Sequence, residues 1–86
     1  MSNAKDTVNV NIEFFDGQIE GDVGYPYYVA SCDELHFVTD GKTFEELMIN
    51  VRECLQLCLH DADSIIEYGI LPDAKVKLMM ELPEYA

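Results

Sequence analysis

VTDGKTFEELMINVRECLQLCL, residues 38–59, sets a turn dipeptide, a helix cap and an amphipathic helix in direct succession. Asp40-Gly41 is a turn signal, and a short strand around His36 to Thr39 is expected to end at it. Thr43 is a favoured N-cap, and Glu46 stands three positions later, the spacing of a capping box that satisfies two orphan backbone donors of the first turn. Glu45 and Glu46 also lie at the positive end of the helix dipole. On a helical wheel Phe44, Leu47, Met48, Val51, Cys54, Leu55, Cys58, Leu59 and Ala62 share one broad face, as a helix laid across a sheet requires. The opposite side carries Glu46, Asn50, Glu53 and His60, and with them two apolar residues, Ile49 and Leu57. The helix is expected to stop near His60.

Towards the N-terminus, Val8, Val10, Ile12 and Phe14 alternate with Asn9, Asn11, Glu13 and Phe15, the period of a half-buried strand. The glycine-rich and acidic DGQIEGDVG follows as a connection, and YPYYVAS resumes as a second strand. Pro26 cannot donate to a ladder and belongs at the start of that strand or on an open edge. Beyond the helix, Asp61, Asp63 or Ser64 is placed to cap a short helical turn through Tyr68, stopped by Gly69. Pro72 implies an extended exit, and AKVKLMMEL alternates Val76, Leu78 and Met80 with Lys75, Lys77 and Met79 as a last strand.

The expected fold is therefore α+β in the order β-β-β-α-β, an antiparallel-rich sheet with one main helix on one face. The chain has 86 residues, enough for one core. A single domain over 7–82 is expected, with flexible termini at 1–6 and 83–86; Ser2-Asn3-Ala4 has the look of an expression remnant.

Seventeen Asp and Glu against five Lys and Arg give a net charge of −12. The cations Lys5, Lys42, Arg52, Lys75 and Lys77 are scattered, so direct DNA or RNA binding is not expected. A basic protein is the natural complement, because opposite fields steer encounter. Three cysteines, Cys32, Cys54 and Cys58, make no disulfide framework, and no secretory or membrane-spanning run precedes them, which implies a cytoplasmic protein with reduced thiols.

Cys54 and Cys58 are four apart on the helix, with His60 and Cys32 as further ligand candidates for zinc. Both helical thiols fall in the apolar stripe, where free Cys acts as a small hydrophobe, and His60 points about half a turn away. Asp16, Glu20 and Asp22 lack the ligand order of a calcium loop. Tyr25, Tyr27 and Tyr28 lack the interleaved cations of a base-stacking platform. No catalytic, cofactor-binding or metal residue is assigned, and an enzyme is not expected.

From Tyr28 to Leu59, YVASCDELHFVTDGKTFEELMINVRECLQLCL resembles the HicB-like antitoxin domain. The likeness rests on an aromatic strand running into Cys32, then Glu34-Leu35, Gly41, Thr43, Glu45-Glu46, Asn50 and Glu53 before a Leu-rich helix. It implies a truncated ribonuclease-H-like sheet and helix, and a function in a toxin-antitoxin system: neutralising a small basic HicA-type RNA-cleaving toxin by occlusion. Cys32-Asp33-Glu34-Leu35 stands where many members have Pro-Gly-Cys, as in stand-alone relatives. Full-length antitoxins usually add a C-terminal DNA-binding segment, for which no room is expected before Ala86, so operator binding is not carried over. The alternative is an orphan self-associating domain of the same fold that binds another protein. Self-association, as a dimer, is expected in either case, because a small sheet with an open edge tends to cover it. The partner-interface candidates are Glu46, Ile49, Asn50, Glu53 and Leu57, two apolar anchors framed by polar and acidic neighbours.

Overall fold

The computed structural model of the chain describes residues 4–18 and 20–80. The elements run β1 (Lys5–Phe15), β2 (Tyr27–Cys32), β3 (Phe37–Gly41), α1 (Phe44–Gln56), a π-helical turn (Leu57–Asp61), α2 (Ser64–Tyr68) and β4 (Ile70–Met80). The fold is α+β with a four-stranded mixed sheet in the order β3-β2-β1-β4 and one main helix. The β1–β2 and β2–β3 ladders are antiparallel and β1–β4 is parallel. A parallel strand needs a crossover, and α1 with the two short turns after it provides one, carrying the chain from β3 past β2 and β1 to the far edge.

One face of the sheet and the inner stripe of α1 make the core. Val8, Val10 and Ile12 of β1 meet Ala30 and Cys32 of β2, Leu47 and Val51 of α1, Leu59 of the π turn, Leu35 of the β2–β3 turn and Ile70 of β4. Removing each such aliphatic side chain from water contributes about 1.5–3 kcal/mol. At one end the core closes with aromatics: Phe14 pairs across the ladder with Tyr28 at 5.1 Å between centroids, and Tyr28 meets the edge of Phe44 at 5.8 Å. Phe15 and Tyr27 stack on the opposite face of the sheet.

The helix starts as its sequence dictates. Thr43 is the N-cap and its Oγ1 accepts from the Glu46 amide at 3.1 Å, the threonine half of the capping box. Asp63 caps α2 by accepting from the Ile66 amide at 3.3 Å, and Gly69 ends it in the left-handed region at φ 68°.

Five boundaries differ from expectation. β1 begins at Lys5, inside the stretch expected to be a flexible terminus; residues 1–3 and 81–86 lie outside the described residues. Asp40 and Gly41 are not a turn but the last residues of β3, and the chain bends into α1 at Lys42 and Thr43. An alanine Cβ at Gly41 would sit 2.5 Å from the Leu47 amide nitrogen, so glycine is needed there for close approach of strand and helix. His36 is in the β2–β3 turn, not on a strand, with φ 56°. The α-helix gives way to a widened π turn after Gln56, which buries Leu59. Pro72 lies inside β4 rather than before it; an edge strand tolerates proline, and the register between Lys5–Ile70 and Thr7–Lys75 is broken around it.

A side chain replaces a strand where β2 runs out. On the N-terminal side of Asn11, β1 has no β2 partner, and Glu34 of the turn fills the gap: its Oε2 accepts from the Asn9 amide at 3.0 Å and from Asn9 Nδ2 at 3.1 Å. Burial alone would raise the Glu34 pKa, but these bonds, its own backbone amide and the Cys32 thiol together hold it below the usual carboxylate value.

Candidate protein-binding face

The outer side of α1 shows large apolar groups to water. Ile49 is 57% exposed and Leu57 is 60% exposed, two turns apart. Between and beside them lie Arg52, Glu53, Gln56 and Asp61, and together the six residues line a shallow depression of about 580 Å³. Asp61, the last residue of the π turn, belongs to this set, and Gln56 Nε2 donates to Asp61 Oδ1 at 3.5 Å across its rim. The result is a small apolar floor with an acidic border and one guanidinium. Such a surface holds a complementary side chain from a partner and orients it by charge.

The five residues singled out from the sequence divide into three environments. Ile49, Glu53 and Leu57 share this depression. Asn50 has a structural duty: its Nδ2 donates to the Asp40 carbonyl at 2.7 Å and ties α1 to the end of β3. Glu46 lines a separate hollow with Val23, Tyr25, Tyr27, Asp40, Gly41 and Lys42, where Lys42 Nζ sits 4.9 Å from the centre of the Tyr25 ring. In the same corner the Tyr27 hydroxyl donates to Asp22 Oδ1 at 3.1 Å. Sequence reasoning missed Arg52, Gln56 and Asp61. The first two follow from the helical period once Ile49 is taken as centre; Asp61 lies four residues past Leu57, beyond the helix end expected near His60.

The thiols are spread through the packing. Cys32 is buried and its Sγ lies 3.7 Å from Glu34 Oε1; Cys58 Sγ reaches the Leu35 carbonyl at 3.8 Å. Burial pushes the Cys32 and Cys54 thiols up, away from the reactive thiolate. Among the described residues no group of three His, Cys, Asp or Glu is arranged to hold a metal ion. His36 lies against Tyr68 with ring centroids 6.1 Å apart. No described helix is long and apolar enough to cross a membrane. No family model matches the chain, and neither does any curated protein or solved structure.

Proposed function

We propose that the chain is a HicB-like antitoxin, or a binding module derived from one, that docks a small basic HicA-type toxin on the outer face of α1 in the cytoplasm and blocks the toxin's RNA-cleaving surface. The observation that carries this reading is the pairing of exposed Ile49 and Leu57 with Glu53 and Asp61 on a chain of net charge −12. The acids draw a cationic partner in and compete with RNA phosphates for it; the two aliphatic groups supply the desolvated anchor. The sheet order β3-β2-β1-β4, with a helix crossover to a parallel fourth strand, is compatible with the truncated ribonuclease-H-like fold this reading entails.

The test is binding to a small basic RNA-binding protein encoded beside this chain, measured by titration calorimetry across a salt series. Affinity is expected to fall as salt rises, since screening weakens exposed charge pairs. Ile49→Asp and Glu53→Lys should each weaken binding at least tenfold with unchanged circular dichroism. Glu46→Lys, in the other hollow, should have less effect. A basic partner that binds these variants as tightly as wild type removes the helix face from the interface.

A further inference from the structure

We infer that the hollow where the β1–β2 connection meets the start of α1 is a binding site for a guanidinium group. The inference goes beyond the toxin-binding reading and concerns a site apart from the Ile49–Leu57 face. The hollow has a volume of about 340 Å³, at the lower end of the range of about 300–1,000 Å³ for ligand clefts. Its walls combine two aromatic rings with carboxylates. Tyr25 and Tyr27 come from the connection and the start of β2, Asp40 and Gly41 from the end of β3, and Lys42 and Glu46 from the bend and first turn of α1. The antiparallel register puts Tyr27 and Asp40 on the same face of the sheet, the one turned away from the helix.

The connection is folded so as to hold both tyrosines. The Gly24 amide donates to the Gly17 carbonyl at 2.9 Å and closes the loop. A Cβ at Gly17 would strike the Tyr25 carbonyl, so the Tyr25 backbone rests directly on the start of the connection. Asp22 Oδ1 accepts from the Val23 amide at 2.8 Å and from the Tyr27 hydroxyl at 3.1 Å. Phe15 stacks on the Tyr27 ring and steadies it from the other strand. Burial, then the Asp22 bond and charge, and more weakly the charge of Asp40 raise the Tyr27 pKa, which agrees with an Asp40 carboxylate close to that ring.

The protein already seats a cation of its own here. Lys42 Nζ lies 4.9 Å from the centre of the Tyr25 ring, within the distance of a cation–π contact. That ammonium does not neutralise the site. Asp22, Asp40 and Glu46 outnumber it, and among the described residues neither Asp40 nor Glu46 has an ion-pair partner. An incoming cation therefore competes with Lys42 for the ring and gains carboxylates that Lys42 leaves unpaired. Guanidinium suits this set better than a quaternary ammonium. It is planar and weakly hydrated, so it stacks on a ring, and its fork of N–H donors meets carboxylates, for which a quaternary ammonium has no donor. An arginine side chain on a protein and a free guanidino compound share this chemistry.

Proton–nitrogen correlation spectra of the labelled protein, titrated with N-acetyl-arginine methylamide, test the inference. Shifts of the Tyr25, Tyr27, Gly41 and Lys42 amides are expected to saturate with a dissociation constant of about 1–10 mM. The neutral citrulline analogue should move none of them, and tetramethylammonium should bind at least about threefold more weakly for want of donors. Lys42→Gln should tighten binding by about two- to fivefold, the worth of one exposed cation–π contact, and Tyr25→Leu, apolar but without a π face, should weaken it by about the same factor. Glu46→Gln should also weaken it, while Leu57→Ala, in the other depression, should leave it unchanged. A short peptide with one central arginine that binds more tightly than the capped residue supports the site and marks its source as a protein; equal affinity supports it and marks a free guanidino compound. The inference is overturned if citrulline moves the same amides as strongly, if the shifts do not saturate, or if Lys42→Gln and Tyr25→Leu leave the affinity unmoved. None of these results bears on toxin binding.

Discussion

Gly41→Ala is the sharpest probe of how α1 is seated. The backbone at Gly41 does not lie in the left-handed region, so the residue's need for glycine is one of space alone. An added Cβ would stand 2.5 Å from Leu47 N, 2.8 Å from Leu47 Cα and 3.1 Å from Glu46 C, all backbone atoms of the first helical turn. Reaching the 3.4 Å of ordinary contact requires strand and helix to part by about 0.9 Å. That displacement pulls on fully buried Leu47 and on the 2.7 Å bond from Asn50 to the Asp40 carbonyl. Overpacking of this kind costs about 1–3 kcal/mol, and weakening the hydrogen bond adds about 0.5–1.5, giving about 1.5–4.5 kcal/mol in all. Small domains have about 5–15 kcal/mol in total. In urea, with a slope of about 1–1.5 kcal/mol/M for a chain of this size, the midpoint should fall by about 1–4.5 M. Gly24→Ala is the comparison: its Cβ meets nothing within 4 Å, so only the positive φ of 84° opposes it, a cost of about 1 kcal/mol. A Gly41→Ala midpoint within error of wild type would refute the close packing of β3 against α1.

Thr43→Ala removes the acceptor of the Glu46 amide and should lower stability by about 1 kcal/mol in the same urea assay. Glu34→Gln tests the carboxylate that stands in for a strand. Because the folded pKa of Glu34 is depressed below its ordinary 4.5, wild type has the full benefit above that pH and loses it as pH falls through the folded value; the glutamine variant should lack that acid-side loss in a pH series of unfolding midpoints. Ser64→Ala should be neutral or stabilising by up to about 1 kcal/mol, since the Ser64 hydroxyl is buried without a hydrogen-bond partner among the described residues. Cys32 and Cys54 should label slowly with a thiol reagent in the native protein and quickly in urea; rapid native labelling would contradict their packing and raised thiol pKa values.

Much of the fold was legible because its signals are local. The alternation from Val8 to Phe14, the Thr43 cap and the Asp63–Gly69 turn each depend on residues a few positions apart, and each appears in the structure. What was not legible depends on distant pairing. Pro72 read as a boundary because nothing nearby showed that its strand would lie on an edge, where a missing donor costs little. Glu34 and Asn9 are 25 residues apart, so no window of sequence connects them. The candidate face was half visible: the helical period put Ile49, Glu53 and Leu57 outside, but it equally put Asn50 there, and only the path of β3 shows that Asn50 is occupied in holding Asp40.

The parallel pairing of β1 with β4 also bears on the order of folding. β1, β2 and β3 are successive neighbours, and α1 packs on the last of them, so these elements can assemble through short loops. The Val8–Val76 to Ile12–Met80 ladder instead closes nearly the whole chain on itself. Its closure entropy must be overcome before any of its contacts form, which makes docking of β4 the expected late and slow event. Until the last strand leaves the ribosome, β1 is the sheet's open edge, with Val8, Val10 and Ile12 along it. Synthesis thus passes the exposed edge from the first strand to the last, and a nascent chain stalled before residue 75 would leave bare the β1 edge that β4 covers in the finished molecule.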